Sequence, residues 1–550
     1  MPMLSAEKVP FSAIPNLSKL FLDYVSMDPS ALRFYQAPPT MEALLGRSRQ
    51  MPAARRADRL VMAPLLKAQN KALHCGAATL ERIAELEKPN CLAVVTGQQV
   101  GLFTGPLYTV YKALTAIRLA DELCSRGVRA VPVFWMDTED HDLAEVLHVS
   151  APGPDDRLRP MSDLLHLFGE PASSLGPVGT LVLPDGAREG LERYAYAWPE
   201  SGWRSELKEG LARAYAPGHT LREAFGLALT ALFGGHGLIL FDPMDAEAKK
   251  AAHRAFVGAV EGAGAMHSAL AERGAELLAA GFHTQVTIRE DATLLFMIRD
   301  GERHALGRDE SGFSCRRNSL RWGQAELLAL AAEDPSRFSP NVLLRPVVQD
   351  MLFPTVAYVA GPAEVAYFAQ VEVLYRWFDL PMPVIWPRAG FTLLGRSTSA
   401  LLRNYGLRFD DCLRGSEHLL AKMLENSGHS DALAAVRDLG ALLRAELADL
   451  RPKVAAIDYN LGPALDNASR KIQSNVGRLA RRCLRLETSR HAAVDADAAR
   501  ILDVCYPDST LQERVLGVFP FLARHGPSLL EEIASLIPKG EFVHQIVELS

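Results

Sequence analysis

The most regular hydrophobic pattern in the chain lies between Cys91 and Asp142. CLAVVTGQQVGLFTGPLYTVYKALTAIRLADEL (Cys91 to Leu123) begins as a continuous apolar run of strand length and ends as an amphipathic helix. Between them lies a loop punctuated by Gly97, Gly101 and Gly105, with Pro106 at the expected first helical position. A second apolar run, Ala130 to Met136, is bounded by polar residues and reads as a buried parallel strand. Strand, helix and strand in this order form a right-handed βαβ unit. TGQQ and Asp137-Thr138-Glu139-Asp140-His141-Asp142 should then lie side by side beyond the carboxyl ends of neighbouring strands, where open α/β sheets bind ligands.

Further strands are expected at LILFD from Leu238, in a pair formed by Gln285 to Arg289 and Thr293 to Ile298, and in PMPVIWPR, which ends in Arg388. From Ala400 to about Arg490 the strand pattern stops. Leu443, Leu447, Leu450, Val454, Ile457 and Leu461 recur at three- and four-residue intervals, as do Val476, Leu479, Cys483 and Leu486. Pro452 and Pro463 do not fit one straight helix, so a reversal near Tyr459 to Pro463 should give an antiparallel helical arm. The expected class is α/β with a parallel-sheet core. The core would span 1–395, with insertions at about 151–225 and 265–340; the arm would span 396–499, and 500–550 would return to the core, with EFVHQIVEL adding a strand.

Composition narrows the function. With 48% apolar and 23% charged residues the chain has the makeup of an ordinary globular protein, and 550 residues call for more than one domain. A formal charge of −6 with no long basic run argues against nucleic acid. No membrane span and no signal segment are read, so a cytoplasmic address is expected. The 7 cysteines are scattered and never form CxxC, which suggests neither a disulfide framework nor a zinc site.

The candidate chemistry sits at the strand ends. Thr96, Gln98, Gln99 and Thr104 add neutral donors to backbone amides freed by Gly97 and Gly105 at a helix start, which suits a phosphate or carboxylate. The loop is not a Walker A, because no Gly-Lys-Ser/Thr follows. Tyr108 and Lys112 share a helix face, and the Lys112 ammonium is expected to swing back toward an anion at the helix start, unless it is simply solvated. Glu139, Asp140, His141 and Asp142 supply general-base candidates. In the competing reading Asp137 caps the next helix while Glu139 and Asp142 face solvent. His141 with Asp140 or Glu139 matches no recognised metal-ligand spacing. Arg345, Gln349, Glu364 and Tyr367 punctuate Leu343 to Gln370, Gly361-Pro362 opens a helix that Glu364 would cap, and Arg388 can grip a carboxylate or form a structural ion pair.

VVTGQQVGLFTGPLYTVYKA, PVFWMDTEDHDLAEVLHV, RPVVQDMLFPTVAYVAGPAEVAYF and MPVIWPR resemble the bacillithiol-synthesis cysteine-adding enzyme family, often called BshC. GLILFDP, AGFHTQV and LQERVLG extend the resemblance through nearly the whole chain. It implies a Rossmann-like core of the nucleotidyl-transferase and class I synthetase kind, with connecting segments and a coiled-coil arm that forms a homodimer. The implied reaction joins the carboxyl of L-cysteine to the amino group of glucosaminyl malate, with ATP as the expected energy source and Mg accompanying only the nucleotide. Within that reading Lys112 assists activation, one of Glu139, Asp140, His141 or Asp142 takes the amine proton, and Arg345 and Arg388 hold the malyl carboxylates. Two other functions compete: a dinucleotide-dependent oxidoreductase, although no G-x-G-x-x-G is present, and a non-catalytic scaffold built on the arm.

Overall fold

Five short apolar runs pair into one parallel sheet: β1 (Leu92–Gln99), β2 (Ala130–Asp137), β3 (Ile239–Phe241), β4 (Thr355–Ala360) and β5 (Val384–Pro387), in the order β5-β4-β1-β2-β3. The computed structural model describes residues 5–51, 56–147, 149–153, 155–160, 176–315, 320–428 and 431–549. Side chains alternate across a strand, and here both faces are covered. Ala93, Val95, Val131, Val133 and Trp135 pack with Phe256 of α2 (Ala246–Glu261) and Val347 of α3 (Arg345–Leu352) on one face. Leu92, Val94 and Ala130 pack with Ala116, Leu119 and Leu123 of α1 (Leu107–Ser125) on the other.

The chain steps outward from β1 through β2 to β3, then returns to lay β4 on the opposite flank of β1. The arrangement is Rossmann-like, and its topological switch point falls between β1 and β4. β1 and β2 run in register with Gln99 opposite Asp137, so TGQQ and the acidic loop are neighbours. TGQQ belongs to the strand itself, not to the loop expected after it. Gly97 faces Trp135 so closely that a Cβ there would lie 3.0 Å from the Trp135 carbonyl oxygen, which explains the glycine.

Two insertions differ from their sequence outlines. Between β2 and β3, helices at Ala187–Tyr196, Arg204–Ala214 and Leu221–Phe233 form a second core; residues 161–175 of the expected insertion lie outside the described residues. Between β3 and β4 an antiparallel sheet holds Ala292–Arg299, Glu302–Asp309, Gly312–Cys315, Leu320–Trp322 and Phe338–Pro340. The hairpin closes at Asp300-Gly301, so Ala292–Arg299 pairs with Glu302–Asp309, and Gln285 to Arg289 is not a strand. The turn dipeptide outranks the apolar run before it.

The expected arm is present as α5 (Asp431–Ala455) and α6 (Leu461–Arg490), which reverse over residues 456–460. Pro452 is tolerated in the last turn of α5 and Pro463 in the first turn of α6. Gly440 admits Val476 to the seam, and Arg451 bonds Asp466 at 2.9 Å near the tip. Leu442, Leu450, Ile457, Leu479 and Leu486 stay exposed. Val543–Glu548 does form a strand, but in a separate sheet between Ser5–Pro10 and Gly390–Leu394. Among the described residues no helix is long and apolar enough to cross a membrane.

One buried ion pair joins β2, α2 and the inserted sheet. Lys249 of α2 pairs with Glu139 just beyond β2 and donates to the Phe338 carbonyl at 2.8 Å, with both side chains 4% exposed. Lys249→Met strands the Glu139 carboxylate and should cost about 3–5 kcal/mol of stability, read as a lower urea midpoint. The Lys249→Met/Glu139→Leu double variant should recover most of that loss.

Candidate active site

A cavity of about 480 Å³ opens at the carboxyl ends of β1, β2 and β4, at the switch point. Its floor comes from Gly97, Gln98, Trp135 and Tyr358, and the inserted sheet closes one side with Phe296 and Arg303. Trp135 Nε1 and Gln99 Oε1 are buried in this wall without a hydrogen-bond partner among the described residues, as expected of a site that takes a polar guest.

Lys112 does not reach back to the helix start. It is buried, and all three ammonium hydrogens are engaged: with the Gly97 carbonyl at 2.8 Å, Gln98 Oε1 at 2.9 Å and Glu364 Oε2 at 2.5 Å. Burial lowers its pKa against the pull of Glu364. Glu364, in the first turn of α4 (Pro362–Trp377), also accepts from the Gly361 amide at 2.7 Å and the Tyr358 hydroxyl at 2.7 Å. Burial resists ionisation of Glu364, yet Lys112, Tyr358 and Gly361 together hold its carboxyl below the ordinary value. Glu364 is therefore a cap, as expected, and also the counter-ion that joins α4 to α1.

Arg345 is the contrasting case. It is 7% exposed and bonds only neutral groups: Gln349 Oε1 at 3.2 Å and the hydroxyls of Tyr358 at 3.0 Å and Tyr367 at 3.2 Å. Among the described residues it has no ion-pair partner, although a buried cation ordinarily finds one. Gln349 is itself buried and bonds Asp350, so it sets the guanidinium without touching the cavity. Arg388 lines the cavity too, but its charge is matched by buried Glu513 at 2.6 Å. The ion-pair reading thus applies to Arg388. Burial pushes the Tyr108 and Tyr367 hydroxyls up to about 12, so both remain protonated donors.

The five titratable residues of the acidic loop fall into five environments. Glu139 is turned away into its pair with Lys249, and Asp142 caps the short helix Leu143–Val146 through the Glu145 amide at 3.1 Å. Asp140 lines the cavity with Gln99, the His141 amide and Arg303 around it; burial opposes its charge, but these bonds win and its pKa is lowered. His141 lies at the mouth with 55% of its side chain exposed, 3.2 Å from Arg303. Asp137, a cap only in the competing reading, lines the cavity and makes no hydrogen bond or ion pair among the described residues. Burial, reinforced by Asp140, pushes its carboxyl up to about 6, while Arg345 and Arg303 restrain the rise.

The glycine turn is not the expected anion cradle. Thr96 donates to the Val359 carbonyl at 3.0 Å inside the sheet. The turn from Gly101 to Gly105 folds onto itself, with a Gly101 Cβ position only 2.9 Å from the Gly105 Cα. Phe103 and Thr104 adopt positive φ under Tyr194 and Tyr215, the Thr104 amide donates to Tyr215 at 3.1 Å, and the Leu107 amide donates to the Leu516 carbonyl at 2.8 Å. Pro106 precedes the helix by one residue, because α1 starts at Leu107. These amides have no freedom to receive a phosphate, so the turn does not fit the nucleotide. Thr104 and Gly105 lie away from the cavity, whereas Gly97, Gln98, Gln99, Tyr108, Lys112, Asp140, His141, Arg345, Gly361, Glu364, Tyr367 and Arg388 converge on it.

Sequence reasoning missed Asp137 as a site group, together with Trp135, Tyr358, Arg303 and Arg514. Asp137 and Trp135 were within reach: two residues apart at a strand end, they share the face that meets the ligand crevice. Arg303 carried no signal, because its place depends on how the inserted sheet docks.

Comparison with known proteins accounts for the whole chain. Residues 4–389 match the family model described as Bacillithiol biosynthesis BshC, N-terminal Rossmann-like domain, and residues 391–549 match its C-terminal coiled-coil domain. Three similar proteins bear the name "Putative cysteine ligase BshC". The one from Koribacter versatilis is 37% identical, over 96% of this chain and 96% of its own length. That from Salinibacter ruber is 34% identical over 99% and 98%, and that from Solibacter usitatus 35% identical over 94% and 95%.

The raised carboxyl of Asp137 has a measurable cost. An unfolded aspartate ionises near 3.8, whereas the folded chain keeps this proton to about 6, so native stability falls as pH rises through that interval. Asp137→Asn never ionises. Its stability relative to the parent should grow by about 2–3 kcal/mol between about pH 4 and pH 7, measured by urea unfolding at each pH.

Proposed function

The chain belongs to the BshC family of bacillithiol biosynthesis, and we propose that it is a ligase joining the carboxyl group of L-cysteine to the amino group of glucosaminyl malate, with ATP as co-substrate, in the last step of that synthesis. The observation that carries the reading is Arg345: a buried guanidinium with only neutral partners at the mouth of a parallel sheet is complete when an anion arrives. A malyl carboxylate meets that need; Arg388, already matched by Glu513, lines the same cavity as a structural ion pair. The cysteine carboxylate does not acylate an amine at neutral pH, so it must first be activated, and ATP is the natural phosphate donor. Mg accompanies the nucleotide. ATP as co-substrate implies a cytoplasmic reaction.

The walls favour a two-substrate condensation. Tyr108 and Tyr367 stay protonated and can donate to sugar or carbonyl oxygens. Lys112 and Glu364 neutralise each other and hold the floor rigid, a positioning role that leaves Arg345 as the dominant charge. The exposed leucines of the arm support a homodimer through α5 and α6.

The reading is tested by incubating the purified chain with cysteine, ATP and glucosaminyl malate and following the thiol product by mass. Product is expected, and none with any nucleoside triphosphate overturns the proposal. Arg345→Met should lower kcat/KM for the acceptor by roughly 30–1000-fold, the equivalent of about 2–4 kcal/mol, through KM. For the arm, Leu442→Glu with Leu479→Glu should halve the mass seen by light scattering; an unchanged mass would exclude the arm as the contact.

A further inference from the structure

We propose that Asp137 is the catalytic residue that takes the proton from the attacking ammonium, an inference that rests on the ligase reading above. Among the described residues four carboxylates line the cavity, and three are already engaged. Glu364 is held by Lys112, Tyr358 and the Gly361 amide; Asp140 by Gln99, the His141 amide and Arg303; Glu145 accepts from Gln99 Nε2 at 3.1 Å at the exposed rim. Asp137 alone has no hydrogen-bond or ion-pair partner among the described residues.

Its position is fixed by β2. As the last residue of that strand, in register with Gln99, it projects from the same face as Trp135, whose ring lies 5.8 Å from the Arg345 guanidinium. The cavity's unpaired buried cation and its unpaired carboxylate therefore share one face of the sheet. An acceptor that carries carboxylates at one end and an ammonium at the other spans the two. The charges acting on Asp137 are Asp140 of its own loop, Arg345 of α3, Arg303 of the inserted sheet and, more weakly, Glu139, which is turned away into its pair with Lys249. None closes on it, and their mixed charge leaves the carboxylate basic.

The step balances. The Asp137 carboxylate accepts one proton from R–NH3+, and the freed nitrogen lone pair attacks the acyl carbon of cysteine activated by a nucleoside triphosphate. The N–C bond forms, the acyl C–O bond to phosphate breaks, and the phosphate group leaves with that electron pair. The nitrogen sheds its second proton to solvent as the amide forms.

Asp137→Asn and Asp137→Glu are compared with the parent in two assays. The first is cysteine-dependent hydroxamate formation with ATP and hydroxylamine, a nucleophile already neutral at pH 7. The second is amide formation with glucosaminyl malate across pH. Asp137→Asn should keep hydroxamate formation within about twofold and lose about 10²–10⁴-fold in amide kcat. The acidic limb of the pH profile should disappear, and Asp137→Glu should restore part of the rate. Amide formation retained by Asp137→Asn with an unchanged acidic limb overturns the assignment, as does an equal loss in both assays. A parent enzyme that makes neither product overturns the ligase reading instead, so the two failures are distinct.

Discussion

The buried contact between Lys112 and Glu364 is the constraint on which the rest of the site depends. It crosses the switch point, where β1 and β4 diverge and a parallel sheet would otherwise leave a gap. Lys112 reaches from α1 over the end of β1 and grips both the Gly97 carbonyl and the first turn of α4. A pair this deep gains little over an apolar substitute in stability, but breaking one half leaves a bare charge in the interior. Its contribution is geometric. With the floor fixed, Tyr358 is free to bond both Glu364 and Arg345, and the guanidinium is set by the same hydroxyl that steadies the cap.

Charge in the cavity is sorted, not summed. Lys112, Arg388 and Arg303 each face a carboxylate, whereas among the described residues buried Arg345, exposed Arg514 and Asp137 have no ion-pair partner. Arg345 and Asp137, of opposite sign, close enough to feel each other but too far apart to pair, define a slot for a molecule bearing both signs. Keeping them apart costs folding free energy, which active sites commonly sacrifice for function.

Much of the fold was legible because its signals are local. The βαβ unit, the neighbouring strand ends, the helix after Gly361-Pro362 and the reversal of the arm all follow from hydrophobic period and breaker residues. The errors arose where tertiary packing decided the outcome. The glycines at 101 and 105 look like a ligand loop, but they serve a turn folded beneath Tyr194 and Tyr215, which lie about 90 to 115 residues further along the chain. Within the acidic loop, sequence could not tell which carboxylate meets Lys249, which caps a helix and which remains free, because Lys249 belongs to α2 and arrives from beyond an insertion.

The cavity wall is assembled from stretches near residues 97, 137, 303, 345, 361 and 514, so nearly every side is contributed by chain distant in sequence. High contact order of this kind means that long loops must be closed first, and the entropy this costs is offset only once the non-local contacts have formed. Ligand affinity is consequently a reporter of completed maturation: a half-folded molecule has no partial pocket with which to capture a substrate and leave it stranded.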